Sequence, residues 1–218
     1  MTVRLEAFVD EDAGKCGAIL RRQGPDGLTT RTVFRMGDDA PVYLVDHSVS
    51  YNNRIQDWTS FAYESPTSET SHRGSRDDDG AALVDGEAAP GLGEAIPGYA
   101  EILLVDEAMN DARTSVEYRF FDESEPDEGV KPAVLRREGT EDTELLDGTS
   151  ITAERVRQVV QGTPANTHWY AAGDVVKSDW CGAQSFHVDD LDVLLEGLDD
   201  EVRGHITDFV GNQAASSK

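Results

Sequence analysis

Three residues that can bind a transition metal lie in the last quarter of this 218-residue chain. Cys181 and His187 are six residues apart among acidic side chains, and His168 comes one predicted strand earlier. Zinc binds thiolate, imidazole and carboxylate groups tetrahedrally, and structural zinc sites usually show two closely spaced ligand pairs. The sequence has one loose pair, so Cys181, His187 and His168 are the metal candidates. The simpler alternative, a buried thiol and a surface histidine, is the one we favour.

Nucleotide hydrolysis is the second chemistry that a local pattern suggests. Residues 102–107, Ile-Leu-Leu-Val-Asp-Glu, have the form of a buried strand that ends in a magnesium-binding acid. Such a site also needs a glycine-rich loop with Lys and Ser or Thr to bind phosphates. The Gly-Lys pair at residues 14–15 has no glycine at the required upstream position. We therefore predict an ordinary strand over residues 99–105, no cofactor, and at most loosely bound cations at acidic clusters such as residues 77–79.

Four arginines, Arg21, Arg22, Arg31 and Arg35, lie together on the first predicted hairpin. A basic stripe of this kind can bind phosphate, but such affinity falls steeply as salt rises. We favour the alternative that these arginines pair with neighbouring acids, and nucleic acid is not an expected partner.

The charge of the chain is unevenly distributed. Residues 1–60 hold seven basic and nine acidic residues, whereas the remainder holds twelve and thirty-four. Charged residues are depleted at the centres of protein interfaces. The balanced segment is therefore predicted to be buried within the chain or, as the open alternative, to contact another protein subunit through its arginines.

The first third of the chain predicts antiparallel strands. Lys15–Arg22 and Leu28–Met36 flank a turn that contains Pro and Gly, and polarity alternates cleanly along the second segment. Pro41–Val45 and Asp57–Glu64 are rich in aromatic and β-branched residues, which favour strands. These patterns predict a sheet with one face turned inward.

Residues 65–98 interrupt this pattern, because they are rich in Ser, Gly, Pro and Asp and poor in large apolar residues. A segment of this length and composition inside a compact domain predicts either a flexible excursion or an arm that becomes ordered against a partner.

Helices are predicted mainly after residue 148. Ile151–Gln161 follows two potential capping residues and precedes Gly162-Thr163-Pro164, which would end a helix. A last helix is predicted from Asp189 onward, since apolar residues recur at steps of three and four, and its glycines would divide it. The predicted fold is α+β and predominantly antiparallel β, sandwich- or barrel-like. A strand-rich body spans residues 1–148, and a smaller portion with two to three helices spans residues 149–218 and can share the same core.

The composition is strongly acidic, with a formal net charge of −24 and only four lysines. At ordinary ionic strength such an imbalance destabilises a compact state, whereas at about 1 M salt the screening length falls to roughly 3 Å. Arginine, the more weakly hydrated cation, supplies most of the positive charge. This composition resembles that of proteins from halophilic archaea and their viruses, and it predicts a salt-adapted protein.

The sequence shows no secretory signal and no apolar run of the roughly 20 residues that a membrane helix needs. Cys16 and Cys181 are predicted to be reduced and mostly buried thiols. We therefore expect a cytoplasmic or virion protein that does not contact a membrane.

Two functions follow from these patterns. Because the sequence contains no Gly-x-Ser-x-Gly motif or other catalytic signature, we predict a non-catalytic structural or assembly protein of a halophilic archaeal system. It would be a virion component such as a capsid, neck or tail protein, with other protein subunits as partners in a homo- or hetero-oligomer. The alternative is a haloarchaeal enzyme or ligand-binding module whose site is assembled only in three dimensions, with or without assistance from a metal.

Overall fold

A computed structural model describes residues 2–37, 39–111 and 113–211 of the chain. Fifteen strands and three α-helices account for most of them. The strands are β1 (Thr2–Asp10), β2 (Gly14–Gly24), β3 (Gly27–Phe34), β4 (Tyr43–Tyr51), β5 (Trp58–Ser65), β6 (Thr70–Arg76), β7 (Ala82–Val84), β8 (Glu87–Ala88), β9 (Ile96–Pro97), β10 (Ser115–Phe121), β11 (Lys131–Glu144), β12 (Ser150–Val160), β13 (Thr163–Ala171), β14 (Asp174–Trp180) and β15 (Ala183–Val188). The helices are α1 (Ile102–Asn110), α2 (Leu191–Leu195) and α3 (Asp200–Gly211).

All fifteen strands form one sheet, in the order β8-β7-β6-β5-β4-β3-β2-β1-β15-β14-β13-β12-β11-β10-β9. Neighbouring strands are antiparallel, except for the short parallel pair β9–β10. The predominantly antiparallel β fold predicted from the sequence is thus confirmed. Strands from both sides of residue 148 belong to this one sheet, and β1 pairs with β15 at its middle.

The sheet curls until its two ends meet. Trp58, on β5, donates a hydrogen bond of 2.7 Å from Nε1 to the carbonyl of Ala95, which directly precedes β9. The Trp58 ring also lies 5.8 Å from the ring of Phe121, on β10. Since β5 and β10 are far apart in the strand order, these contacts require the inner face to be concave.

Helix α1 lies inside this curl. Its residues Ile102, Leu103, Leu104 and Val105 are all buried, and they belong to the same apolar core as Trp58. The first turn of the helix is apolar on every side, and such a turn must be enclosed by the rest of the protein. The helix therefore fills part of the space within the sheet.

Helices α2 and α3 cover the outer face of the central strands. Leu194, Val202, Ile206 and Phe209 are buried there against small and branched residues of the sheet. The sheet residues are Ala7, Ala18, Leu20, Val33 and Val188. Near the helix start predicted at Asp189, the side chain of Asp190 caps α2, and a break around Gly197 separates α2 from α3.

Two secondary-structure predictions were wrong. The predicted helix over Ile151–Gln161 is strand β12, in which inward-facing Val156 and Gln158 alternate with more exposed neighbours and pair with β11 and β13. The predicted strand over residues 99–105 is a short 3-10 turn followed by α1. In both cases the position of the segment in the curled sheet outweighs the local pattern.

The polar segment at residues 65–98 is ordered by contacts within the chain, so its description as a flexible or partner-ordered excursion was wrong. It contributes β6 to β9 at the ends of the sheet. Although it holds few large apolar residues, Ala82, Leu92 and Ile96 are buried in the main core. Among the described residues, no helix has the length and apolar character needed to span a bilayer.

Candidate functional site

A cavity of about 560 Å³ opens into the concave side of the sheet, next to the start of α1. Its volume lies within the range of roughly 300–1,000 Å³ that is usual for small-molecule sites. Residues from nine strands, from the start of α1 and from the loops around β9 and β10 line it. They are Phe8, Ile19, Arg21, Thr30, Thr32, Phe34, Tyr43, Gly98, Tyr99, Glu101, Ile102, Phe120, Asp122, Glu123, Lys131, Gln158, Val160, Ala165, Asn166, His168 and Trp180.

The walls of the cavity are mainly aromatic and aliphatic. The rings of Phe8, Phe34 and Tyr43 stack in a row across β1, β3 and β4, with centroid separations of 4.8 and 4.6 Å. Phe34, Tyr43 and Trp180 are only partly buried, so part of this wall is open to solvent. Exposed aromatic surface inside a concavity is suited to an apolar ligand.

We call four of the buried polar residues that line the cavity its floor: Arg21, Thr30, Glu101 and His168. Arg21 and Thr30 are directly paired across β2 and β3, so their side chains point to the same inner face. The guanidinium of Arg21 lies 5.8 Å from the centroid of Trp180, and the ring of His168 lies 5.4 Å from the same ring. Glu101 Oε1 is 3.6 Å from His168 Nε2. These contacts bring the four side chains to one place.

Each floor residue also has an atom without a partner. Arg21 Nε, Thr30 Oγ1, Glu101 Oε1 and His168 Nε2 are buried and have no hydrogen bond to any residue that the structure describes. The 3.6 Å between His168 and Glu101 exceeds hydrogen-bond length. Because buried polar atoms are nearly always hydrogen-bonded, four unpaired atoms at one cavity indicate that another molecule, water or ligand, satisfies them.

Other contacts hold these side chains in position. Gln158 Nε2 donates to Glu101 and also, over 2.8 Å, to Tyr118 Oη. Burial, followed by the charge of Glu101, raises the pKa of Tyr118 far above its ordinary value, so its hydroxyl stays protonated. His168 Nδ1 lies 2.9 Å from Ser178 Oγ. Glu101 and His168 are thus fixed on one side and unpaired on the other.

Arg21 is held by a second network on the inner face of β1. Glu6 is almost fully buried and forms ion pairs with both Arg4 and Arg21. Ser185 Oγ donates to Glu6 over 2.7 Å and accepts from Trp180 Nε1 over 3.0 Å. Burial, followed by repulsion from Arg4, lowers the pKa of Arg21. Asp106 and Asp174 act in the opposite direction, and Glu6 is the carboxylate that directly contacts the guanidinium.

A third buried pair lies at another part of the wall. His47 Nε2 is 2.9 Å from Glu123 Oε1, and both side chains are fully buried. Glu123 also accepts hydrogen bonds from the backbone N–H groups of Gly98 (2.8 Å) and Tyr99 (3.2 Å). These bonds fix the segment that leads from β9 into α1, and so they position Glu101.

Ser178, His168 and Glu101 have the residue types of a catalytic triad, but their arrangement does not suit acyl transfer. Glu101 and His168 line the cavity, whereas Ser178 is 1% exposed and does not. A nucleophile must border the space in which the substrate lies. We therefore assign Ser178 to holding the His168 ring.

The structure does not bring the three metal candidates together. Cys181 is exposed in the turn between β14 and β15, with a left-handed backbone (φ 61°), so the prediction of a buried thiol holds for Cys16 but not here. His187 lies at the other end of β15, 3.1 Å from Asp189, and His168 faces the cavity. Within residues 2–37, 39–111 and 113–211, no three His, Cys, Asp or Glu side chains are grouped as metal ligands.

The four arginine candidates all have partners within the chain. Arg21 forms the ion pair with Glu6, as described above. Arg31 binds Asp46 through two bonds of 2.7 and 2.6 Å, and Arg22 bonds to the carbonyl of Phe209 in α3. Arg35 pairs with Asp199 and Glu201 at the start of α3. Three of the four therefore lie beside the helix on the outer face, and one lies in the cavity.

The sequence pointed to two of the four floor residues and did not predict that the four lie together. Arg21 and His168 were singled out for other reasons, whereas Thr30 and Glu101 carried no motif. The available signal was polarity at inward positions: Thr30 sits between Leu28 and Phe34 on the face assigned to the core. Glu101 was placed in a predicted strand, so its position at the start of a helix could not be anticipated.

The carboxyl group of Asp106, on α1, makes stability depend on pH. Burial raises its pKa from 3.8 to about 6; Arg4 and Arg21 lower it and Asp174 raises it. The unfolded chain loses this proton near pH 4, whereas the folded chain keeps it until about pH 6. Ionisation therefore costs folding free energy that grows across this window and is fully present above it.

We expect Asp106→Asn to stabilise the protein by about 2 kcal/mol at pH 7 and to have little effect at about pH 4. Urea unfolding of both proteins across this range, at constant salt, measures the difference. Asp111→Asn, at the exposed end of the same helix, is the control and should show no such trend. A difference that is independent of pH would contradict the assigned burial effect.

Comparison with known proteins supports the fold. No protein-family model matches the chain, and no curated protein matches it. A solved structure of a β-barrel-like protein of the domain of unknown function DUF1849, from Brucella abortus, is similar, with a TM-score of 0.54 and 12% identity over 85% of this chain and 95% of that chain. A DUF1089 family protein from Pseudomonas aeruginosa gives a TM-score of 0.42 and 16% identity over 74% of this chain and 87% of that one. The first similarity shows a β-barrel-like fold and carries nothing about function.

Proposed function

We propose that this protein binds a small, largely apolar ligand inside its curled sheet. The observation that carries the proposal is the cavity of about 560 Å³, with aromatic walls and a buried polar floor. Natural ligand sites combine mostly apolar walls with a few polar groups that fix the orientation of the ligand. This function corresponds to the ligand-binding module that the sequence left open as an alternative.

Binding rather than catalysis fits the side chains of the floor. Glu101 and His168 are buried and held by Gln158 and Ser178, and among the residues that the structure describes neither a serine nor a cysteine lines the cavity. Rigid, preorganised hydrogen-bonding groups favour tight and oriented binding.

The assembly role in a halophilic virion is a separate proposal, supported by the net charge of −24 and by the absence of catalytic motifs in the sequence. Residues 65–98 do not support this role, because they pack within their own chain. The cavity favours ligand binding, and a salt-adapted exterior is compatible with either role.

Filling the cavity should abolish binding. Thr32 lies on the inner face of β3 and lines the cavity, so Thr32→Trp would place an indole ring in the space of the ligand. We expect the affinity for a neutral, environment-sensitive dye, phenylnaphthylamine, to fall at least about tenfold, which corresponds to ~1.4 kcal/mol. Fluorescence titration in molar salt measures it.

The matched control is Thr140→Trp, the same change at an exposed position on β11. It should leave dye affinity unchanged, and urea unfolding should show that both variants fold. Equal dye binding by the wild type and by folded Thr32→Trp would show that the dye does not enter the cavity. No binding by the wild type would overturn the proposal.

A further inference from the structure

We infer that the floor of the cavity recognises a neutral hydroxyl head group, so that the preferred ligands are aliphatic alcohols rather than fatty acids or amines. This inference rests on the proposed function. It derives from the four unpaired atoms of the floor, Arg21 Nε, Thr30 Oγ1, Glu101 Oε1 and His168 Nε2.

These four atoms offer both kinds of hydrogen-bonding group. Arg21 Nε is a donor only, an ionised Glu101 is an acceptor only, and Thr30 and His168 can act in either role. A ligand hydroxyl donates one hydrogen bond and accepts two. It can therefore donate to Glu101 while accepting from Arg21 and from either of the other two residues.

The charges of the floor disfavour ionic head groups. A carboxylate placed there would approach Arg21 but would also lie beside the carboxylate of Glu101. An ammonium group would have the reverse problem, because it would approach Arg21 as well as Glu101. Burying a charge costs free energy unless it is fully paired, and here a charge of either sign meets one like charge.

The surrounding contacts keep these charges from rearranging. Arg21 is tied to Glu6, and Glu101 is tied to Gln158, so neither side chain can withdraw without breaking a buried contact. Trp180 lies against both Arg21 and His168 and forms the apolar surface directly above them. A hydroxyl at the floor therefore leaves its alkyl chain against Trp180 and the aromatic wall.

The test compares four ligands with the same eight-carbon chain: octanol, octanoate, octylamine and the zwitterion 2-aminooctanoate. Each competes with phenylnaphthylamine for the wild-type protein in molar salt near pH 7.5. Octanol is expected to bind at least about tenfold more tightly than any of the other three. All four ligands contain eight carbons, and the extra methylene of the octyl chain contributes only about 0.8 kcal/mol, so a tenfold difference in affinity reports mainly the head group.

The variant Glu101→Gln removes the carboxylate charge but keeps an acceptor. The ratio of the octanoate Kd to the octanol Kd should fall at least about threefold. The reason is that octanoate no longer meets the like charge of the Glu101 carboxylate. Glu107→Gln, on the same helix and outside the cavity lining, is the matched control and should preserve the wild-type order. If Glu101→Gln does not fold, the wild-type ligand series remains decisive.

The outcomes separate this inference from the proposed function. Tightest binding by octanoate, octylamine or 2-aminooctanoate would overturn the hydroxyl assignment while leaving a ligand cavity. Dye binding without competition by octanol would also overturn it. If the dye itself does not bind to the wild type, the ligand-binding function fails, and this inference fails with it.

Discussion

Replacing Glu6 with glutamine is expected to lower the free energy of unfolding by about 3–5 kcal/mol, the usual cost of removing one partner of a buried ion pair. Glu6 is 1% exposed and contacts both Arg4 and Arg21. Glutamine has nearly the same shape as glutamate. The decrease in the free energy of unfolding is therefore due to the missing charge and not to a cavity. Arg21, also buried, would be left without its counterion.

The stability cost of removing a buried charge can be compared with that of removing a surface charge in the same protein. Glu138→Gln removes a partner of Arg155 and Arg157 on the outer face, where the Glu138 side chain is 34% exposed. That change should cost at most about 1 kcal/mol. Urea unfolding of both variants measures the two costs.

Salt provides an additional check on Glu6→Gln. Screening acts mainly on solvent-exposed pairs, so the cost of the Glu6 change should persist between about 0.5 M and 3 M salt. The smaller effect of Glu138→Gln should decline over the same range. A Glu6→Gln protein as stable as the wild type would show that Arg21 does not depend on this carboxylate.

The second large effect is expected at Trp58, where truncation to alanine should cost about 3–5 kcal/mol. The side chain is 1% exposed and packs against Phe61 and Phe121. It also donates a hydrogen bond to Ala95. These contacts join β5 to the segment around β9 and β10. Truncation should therefore weaken the contacts that close the curled sheet.

Trp58→Phe separates the two contributions of this side chain. It keeps most of the apolar contact but leaves the carbonyl of Ala95 unpaired, so a cost of about 1–3 kcal/mol is expected. Trp169→Ala, on the partly exposed outer face of β13, is the control and should cost much less than Trp58→Ala. Chemical unfolding and amide exchange of residues 92–97 measure these effects; unchanged protection in Trp58→Ala would contradict a closing role.

The fold was predictable where one face of a strand is apolar. The hairpin of Lys15–Arg22 and Leu28–Met36 is β2–β3, and the strands predicted at Pro41–Val45 and Asp57–Glu64 correspond in part to β4 and β5. These segments alternate in polarity or concentrate β-branched and aromatic residues, and that signal is local.

The prediction of secondary structure failed where the spacing of apolar and polar residues does not distinguish a helix from a strand. Ile102–Val105 is apolar at every position, and such a run fits a buried strand and a buried helix equally well. Ile151–Gln161 carries helix-like boundaries, but its pairing with β11 and β13 comes from residues distant in sequence. Neither outcome could be read from the segment alone.

The candidate site depends even more on distant residues. Its floor combines β2, β3, the start of α1 and β13, and no two of these segments share a motif. Arg21 was recognised as unusual because it is basic in an acidic chain. Its role depends on Glu6 and on the inward face of β2, and these become visible only in the folded structure.

The pairing of β1 with β15 has a consequence for how the chain reaches its folded state. Leu5 lies opposite Val188 in the middle of the sheet, so the central seam joins residues from nearly opposite ends of the described sequence. On either side of that seam, almost every strand pairs with its immediate successor. Two arcs of local hairpins can therefore form during synthesis, each with little loop-closure entropy. The seam closes only after β15 has left the ribosome, and until then β1 exposes an unpaired edge that a chaperone or another nascent chain can bind.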